Sequence, residues 1–144
     1  MASETAHSGW REVEHTADAG IEVWGPNLAS FLGAAAEGFI ALLVDPETVR
    51  RRRTREVKVS EPDAETLLVS WLEEILVALE VDRLAPAAVE VADAREWSAS
   101  GVLHGETLDE SRHEIRAVVK AVTYHGLDVH REGGLLRARV IVDI

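Results

Sequence analysis

No cysteine occurs in this chain, so neither a disulfide nor a thiolate metal site can form in it. Any metal it binds must be held by oxygen or imidazole. The absence is consistent with a cytoplasmic protein, where structural disulfides are rare. Long apolar runs are missing too. No stretch approaches the roughly 18 residues of a membrane span, so no membrane partner is expected. Met1 to Ser8 is polar and lacks the apolar core of a signal peptide. It reads as a disordered leader before a single domain over residues 9–144. Positive charge is scarce, with 15 Lys and Arg against 26 Asp and Glu, a formal net charge of -11. A surface of that sign argues against stable nucleic-acid binding by the chain alone. It admits cations, or a basic partner protein. Motifs for nucleophilic and phosphate chemistry are also missing: there is no Gly-x-Ser-x-Gly elbow, no His-Glu-x-x-His pair and no Gly-x-x-x-x-Gly-Lys loop. An enzyme is not expected, nor is GTP binding by this chain alone.

What is present is enough for a core. A chain of 144 residues buries about two-thirds of its unfolded surface without a staple. Trp10 to His15 and Ile21 to Trp24 alternate as two short strands, joined by a tight connection carrying Asp18. Asn27 is a candidate N-cap, and Leu28, Phe31, Leu32, Ala35, Phe39, Ile40 and Leu43 follow at helical spacing. Gly33 and Gly38 weaken that helix, so they imply close packing by another segment. Asp45-Pro46 ends it. Arg50 to Arg53, with Arg55, form the one basic cluster. It reads either as a solvated loop or strand edge, or as a contact for RNA or an acidic protein patch. Arg55 to Ser60 alternates as a strand. Ser60-Glu61-Pro62-Asp63 resembles a capping box with proline in the first turn. The stripe Leu67, Leu68, Trp71, Leu72, Ile75, Leu76, Leu79 defines a helix from about Asp63 to Val81, with Glu65, Glu73, Glu74 and Glu80 on its wet face. Strands are expected at 87–92, 96–104, 114–124, 127–131 and 135–144, the last two joined through Gly133-Gly134. The sum is α+β: a mixed or antiparallel sheet with two helices packed on one face.

The last five residues, Val140-Ile141-Val142-Asp143-Ile144, combine a β-branched run with an acidic end. The run reads as a buried strand and suggests that the terminus is tied down. The Asp143 side chain and the terminal carboxylate of Ile144 repel one another. A hard cation with oxygen ligands relieves that repulsion, and Asp18 is the candidate third group. Spacing cannot join Asp18 to Asp143; only the fold can, and turn or capping roles for Asp18 stay open. Glu106 and Asp109 are candidates for further ligands or supporting groups, against a plain exposed loop. His15 and His125 are candidates for orienting groups beside the acidic end, and Lys120 for a carboxylate partner or a guanylate contact. Structural or solvated roles are the simpler reading for each. Of the four tryptophans, Trp71 falls on the core stripe, while Trp97 is a conceivable stacking platform.

Several stretches together resemble the archease family. They are His15-Thr16-Ala17-Asp18-Ala19-Gly20, Leu68 to Leu72 around Trp71, Gly105-Glu106 with Asp109 and His113, Val119 to His125, and Val140 to Ile144. They run in order over nearly the whole chain. Leu108 departs from the aromatic residue expected before Asp109, and Ala19 from a larger aliphatic. The resemblance implies a small α+β accessory protein of the RtcB-type, GTP-dependent RNA ligase, which joins RNA ends in tRNA splicing and RNA repair. It implies promotion of ligase guanylylation and of multiple turnover. It also implies a divalent ion, calcium in crystals and magnesium or manganese as cellular alternatives, held by Asp18, Asp143 and Ile144. The competing functions are a stand-alone metal-dependent phosphohydrolase and a general chaperone or scaffold.

Overall fold

A computed structural model of the chain describes residues 7–14 and 18–144. The expected leader falls mostly outside the described residues, and so does His15. Strand β1 (Gly9–Glu14) pairs antiparallel with β2 (Ala19–Gly25). Helix α1 (Leu28–Leu43) follows, then a short 3-10 turn (Pro46–Thr48) and β3 (Arg53–Ser60). Helix α2 (Ala64–Glu80) leads to the hairpin of β4 (Leu84–Arg95) and β5 (Ser98–Thr107). The chain closes with β6 (Ala121–Val122), β7 (His130–Glu132) and β8 (Leu135–Asp143). The fold is α+β, with strands that divide into two antiparallel sheets. One runs β1-β2-β8-β6, with β7 also on β8; the other runs β3-β5-β4.

Both helices start where side chains satisfy the first free N–H groups. Asn27 and Ser30 form a reciprocal capping box on α1. On α2 the cap is Asp63, whose Oδ1 accepts the Thr66 N–H at 2.8 Å. The expected box at Ser60 is not used: Ser60 is still the last residue of β3, and Pro62 precedes the cap. Helix α1 packs against β1 and β2 of one sheet and β4 of the other, and α2 packs against β3, β4 and β6. One apolar cluster joins both sheets and both helices. Trp71 is fully buried in it, and its indole N–H donates to the Leu32 carbonyl across the helix pair at 3.0 Å. A Cβ on Gly38 would stand 2.9 Å from the Trp10 ring, so the glycine lets β1's indole lie against α1.

Strand β8 is the pivot for function. It has β2 along one side, with Gly25 to Ala19 facing Leu136 to Val142. β7 and β6 pair near its start and its end. Val140, Ile141 and Val142 are all buried, which matches the β-branched run. The hairpin into β8 turns at Gly133 and Gly134, with φ of 60° and 79°, as a tight two-residue loop requires.

The expected strand at 114–124 is corrected to two residues, Ala121–Val122. The physical reason is that this segment serves two elements in turn. Its backbone bonds first to the end of α1, where the Asp45 N–H meets the Glu114 carbonyl and the Arg116 N–H meets the Leu43 carbonyl. It then bonds to β8, with the Lys120 N–H on the Asp143 carbonyl at 2.7 Å and the Thr123 N–H on the Ile141 carbonyl at 3.0 Å. A segment that crosses between two partners cannot hold a continuous ladder. Val119 and Val122 are buried, whereas Val118 is 73% exposed, so the expected alternating face is lost.

Candidate functional site

The acidic end is built by the pairing of β2 with β8. Ala19 faces Val142 in the β2–β8 ladder's last pair, so Asp18 and Asp143 each stand one residue beyond the paired positions, at the same end of the ladder. Residues from opposite ends of the chain therefore come together. Asp18 is half-buried and Asp143 is exposed. Ile144 follows the strand and is 45% exposed. The Asp143 carbonyl is taken by the Lys120 N–H, which fixes the strand end while its side chain makes no hydrogen bond or ion pair among the described residues. Lys120 and His125 are both exposed.

Carboxylate oxygens are the donor type that a hard cation takes. Calcium takes 6–8 oxygens, so water or a docked molecule must complete the set. No three His, Cys, Asp or Glu side chains gather to hold an ion among the described residues.

A second cluster stands at the exit of β5. Glu106 is 5% exposed and His113 4% exposed. Glu106 Oε1 accepts three hydrogen bonds: from the Arg50 backbone N–H at 2.9 Å, His113 Nε2 at 2.8 Å and the Arg112 guanidinium at 2.7 Å. The Arg50 N–H contributes most, then His113, with Arg112 smaller; against the opposing effect of burial, they hold the Glu106 carboxyl down at about 2. The Asp109 N–H donates to His113 Nδ1 at 3.0 Å, so the ring's hydrogen sits on Nε2 and points at Glu106. Asp109 caps its own loop: its Oδ1 accepts the Ser111 hydroxyl at 2.6 Å and the Ser111 N–H at 3.1 Å, and both hold its carboxyl below the ordinary value.

This arrangement separates Glu106 and Asp109 in role from the acidic strand end. The three contacts on one Glu106 oxygen stitch the segment after α1 to the loop after β5. Arg112 NH1 also reaches the Thr48 carbonyl at 3.4 Å, and the Glu114 N–H reaches Thr48 Oγ1 at 3.2 Å. From there the chain runs through residues 114–120 to the Asp143 carbonyl. The Glu106–His113 cluster thus anchors the segment that braces β8. The sequence held both residues in one recognisable stretch, but it gave no sign that the imidazole was buried. The nearest usable signal was the pairing of Gly105-Glu106 with a histidine seven residues on.

Other singled-out residues resolve into structural roles. Glu65 accepts the Val129 N–H at 2.7 Å and ties the segment before β7 to α2. Arg55 pairs with Asp82 at 2.5 Å and Glu74 at 3.7 Å. The Trp24 ring lies under the Arg137 guanidinium, 5.8 Å from its centroid, so that face already holds a cation. Trp97 packs half-buried against the core.

These features define a class: a small α+β protein whose last strand pairs with β2, ends in an acidic residue and is braced by a segment anchored at a buried carboxylate–imidazole pair. The model of the Archease protein family (MTH1598/TM1083) matches residues 10–144, and the chain belongs to that family. The archease of Methanopyrus kandleri is 37% identical over 138 residues, covering 94% of this chain and 99% of that protein. The archease of Sulfurisphaera tokodaii is 35% identical over 132 residues, covering 91% and 95%. Among solved structures, the solution structure of Methanobacterium thermoautotrophicum protein 1598 is similar with a TM-score of 0.77 and 31% identity, covering 94% of this chain and 99% of that one. The crystal structure of an archease from Thermotoga maritima, described as a possible chaperone, shares the fold with a TM-score of 0.63 and 19% identity, covering 93% and 96%. No helix among the described residues is long and apolar enough to cross a membrane.

Proposed function

We propose that this chain is a metal-binding accessory protein of an RtcB-type, GTP-dependent RNA ligase. It promotes guanylylation and repeated turnover of the ligase in tRNA splicing or RNA repair, and it carries out no chemistry alone. The observation that supports the reading is the register of β2 on β8, whose last pair, Ala19 and Val142, leaves Asp18 and Asp143 each one residue beyond it at the same end of the ladder. Asp18, Asp143 and Ile144 would hold a divalent ion, which supplies positive charge to offset that of phosphate groups during nucleotidyl transfer. Their incomplete oxygen set favours a site finished by the ligase or its nucleotide rather than a closed structural site. Ile115, Val118 and Tyr124 are exposed on the segment that braces β8. They give the acidic end an apolar margin for docking, as the buried centre of an interface requires.

The test mixes the ligase and GTP with wild type, Asp18→Ala or Asp143→Ala and measures ligase guanylylation. Wild type should stimulate, and each variant should lose stimulation. Equal stimulation by both variants would sink the reading. The exposed Val118 and Tyr124 also suit a chaperone-like role. Suppression of aggregation of unrelated proteins, undiminished in Asp18→Ala, would favour that second reading. A phosphohydrolase is separated from both by screening the chain alone on phosphoesters with divalent ions.

A further inference from the structure

The arginine run has its own place in the fold, at one end of the three-stranded sheet. The register Arg53 opposite Gly105 and Leu84 opposite Thr107 brings the start of β3, the end of β5 and the start of β4 together. Arg52, Arg53, Arg83 and Arg112 there line an open pocket of about 630 Å³, together with Thr107, Asp109 and Glu110. The pocket falls in the size range of small-molecule sites, about 300–1,000 Å³.

The charges in the pocket do not cancel locally. Arg112 is engaged with the buried Glu106 carboxylate. Asp109 is turned to Ser111 of its own loop. Arg83 and Glu110 stand 3.8 Å apart with side chains 59% and 73% exposed, a pair worth little in solvent. Arg53 donates only to the neutral Thr107 hydroxyl, at 3.0 Å. Arg52 has no side-chain hydrogen bond or ion pair among the described residues. Two adjacent guanidinium groups therefore remain uncompensated in a chain of net charge -11. The Thr107 hydroxyl accepts from Arg53 and keeps its own hydrogen to donate.

We propose that this pocket binds the phosphate group of a nucleotide, free or at the end of an RNA strand. Guanidinium forks match phosphate oxygens in bidentate geometry, and the threonine hydroxyl adds a third donor. A nucleotide is anionic at one end and carries sugar hydroxyls and base amino groups at the other. That polarity matches a lining that combines arginines with the exposed Glu110 carboxylate. An acidic peptide spreads single carboxylates along its length, whereas two adjacent uncompensated guanidinium groups suit one compact, multiply charged anion. A long polynucleotide is disfavoured by the net charge of the chain, so the ligand is one compact phosphate end. The proposal needs only this chain and does not rest on the ligase partnership.

The test titrates the full chain by calorimetry with inorganic phosphate, adenosine monophosphate, a 5′-phosphorylated oligoribonucleotide, the same oligomer without its phosphate, and a hexaglutamate peptide. The phosphorylated probes should bind. The unphosphorylated oligomer should bind about tenfold more weakly, and Arg52→Gln and Arg53→Gln should each weaken the phosphorylated probes by about the same factor. Lys58→Gln, an exposed lysine on β3 outside the pocket, removes the same charge and should leave binding within about twofold of wild type, as expected of screened long-range charge. Adenosine monophosphate matching the phosphorylated oligomer identifies a free nucleotide as the source; a tighter oligomer identifies an RNA end. Three results would overturn the proposal: no binding of any phosphorylated probe, hexaglutamate binding as tightly as they do, or equal loss in Lys58→Gln and Arg52→Gln.

Discussion

Two carboxylate sites in this protein solve opposite problems. Glu106 is buried, and its Oε1 receives three donors from the Arg50 backbone, His113 and Arg112. Asp143 is exposed at a strand end, and its side chain makes no hydrogen bond or ion pair among the described residues. A buried charge persists only when it is fully hydrogen-bonded, so Glu106 belongs to the architecture. The Asp143 carboxylate, exposed and without such donors among the described residues, keeps its oxygens turned to solvent. The lesson is that acidic residues in one small fold are sorted by what already holds them. The saturated site supports the open one, because the loop pinned by Glu106 continues into the segment that bonds the Asp143 carbonyl.

The comparison is broken most severely at Gly105. A Cβ there would fall on the Ala85 carbonyl oxygen, and backbone cannot move aside as a flexible side chain would. Gly105→Ala should cost about 3 kcal/mol or more, at the upper end of overpacking, and should displace Glu106 with it. Urea denaturation measures the loss; wild-type stability would show that the β4–β5 pairing is looser than described.

Removing the imidazole is the next largest perturbation. His113→Ala leaves the Asp109 N–H and Glu106 each short of a partner, at a cost of about 1–3 kcal/mol. Hydrogen exchange should rise at Lys120 and Thr123, the amides that bond β8, if the cluster braces the acidic end. Stability loss with unchanged exchange at those amides would confine the cluster to local support.

A pH titration sharpens the contrast with the smallest change. The Glu106 carboxyl is lowered from 4.5 to about 2 in the fold. A depressed carboxyl stabilises above its unfolded value, and the gain disappears as pH falls through the folded one. Relative to Glu106→Gln, wild type should keep a constant advantage above about pH 4.5 and lose it progressively down to about pH 2. Denaturation curves of both proteins across that window check the sign; a difference independent of pH would contradict it.

Much of this was legible in the residues. The stripe from Leu67 to Leu76 announced α2, Asn27 announced the cap of α1, and Val140 to Val142 announced the buried strand. Asp18 and Asp143 were named from a turn and a strand end, and the pairing of β2 with β8 ends one residue short of each, at Ala19 and Val142. Three features were illegible for physical reasons. The run 114–124 alternates like a strand, but its hydrogen bonds are divided between a helix end and a sheet edge. Glu106 reads as one more acid in a polar connection, since burial of a charge depends on donors 56 residues away at Arg50 and seven away at His113. The arginine pocket depends on strand order, because Arg83 and Arg112 lie far along the chain from Arg52.

The central claim is that Asp18 and Asp143 share a cation. Calcium and manganese titrated calorimetrically into wild type, Asp18→Asn and Asp143→Asn test it most directly, with the thermal midpoint of each protein recorded with and without metal. The account predicts one saturable site per wild-type chain, loss of that site in each variant, and a metal-induced rise of the midpoint in wild type alone. Undiminished binding in both variants would contradict it.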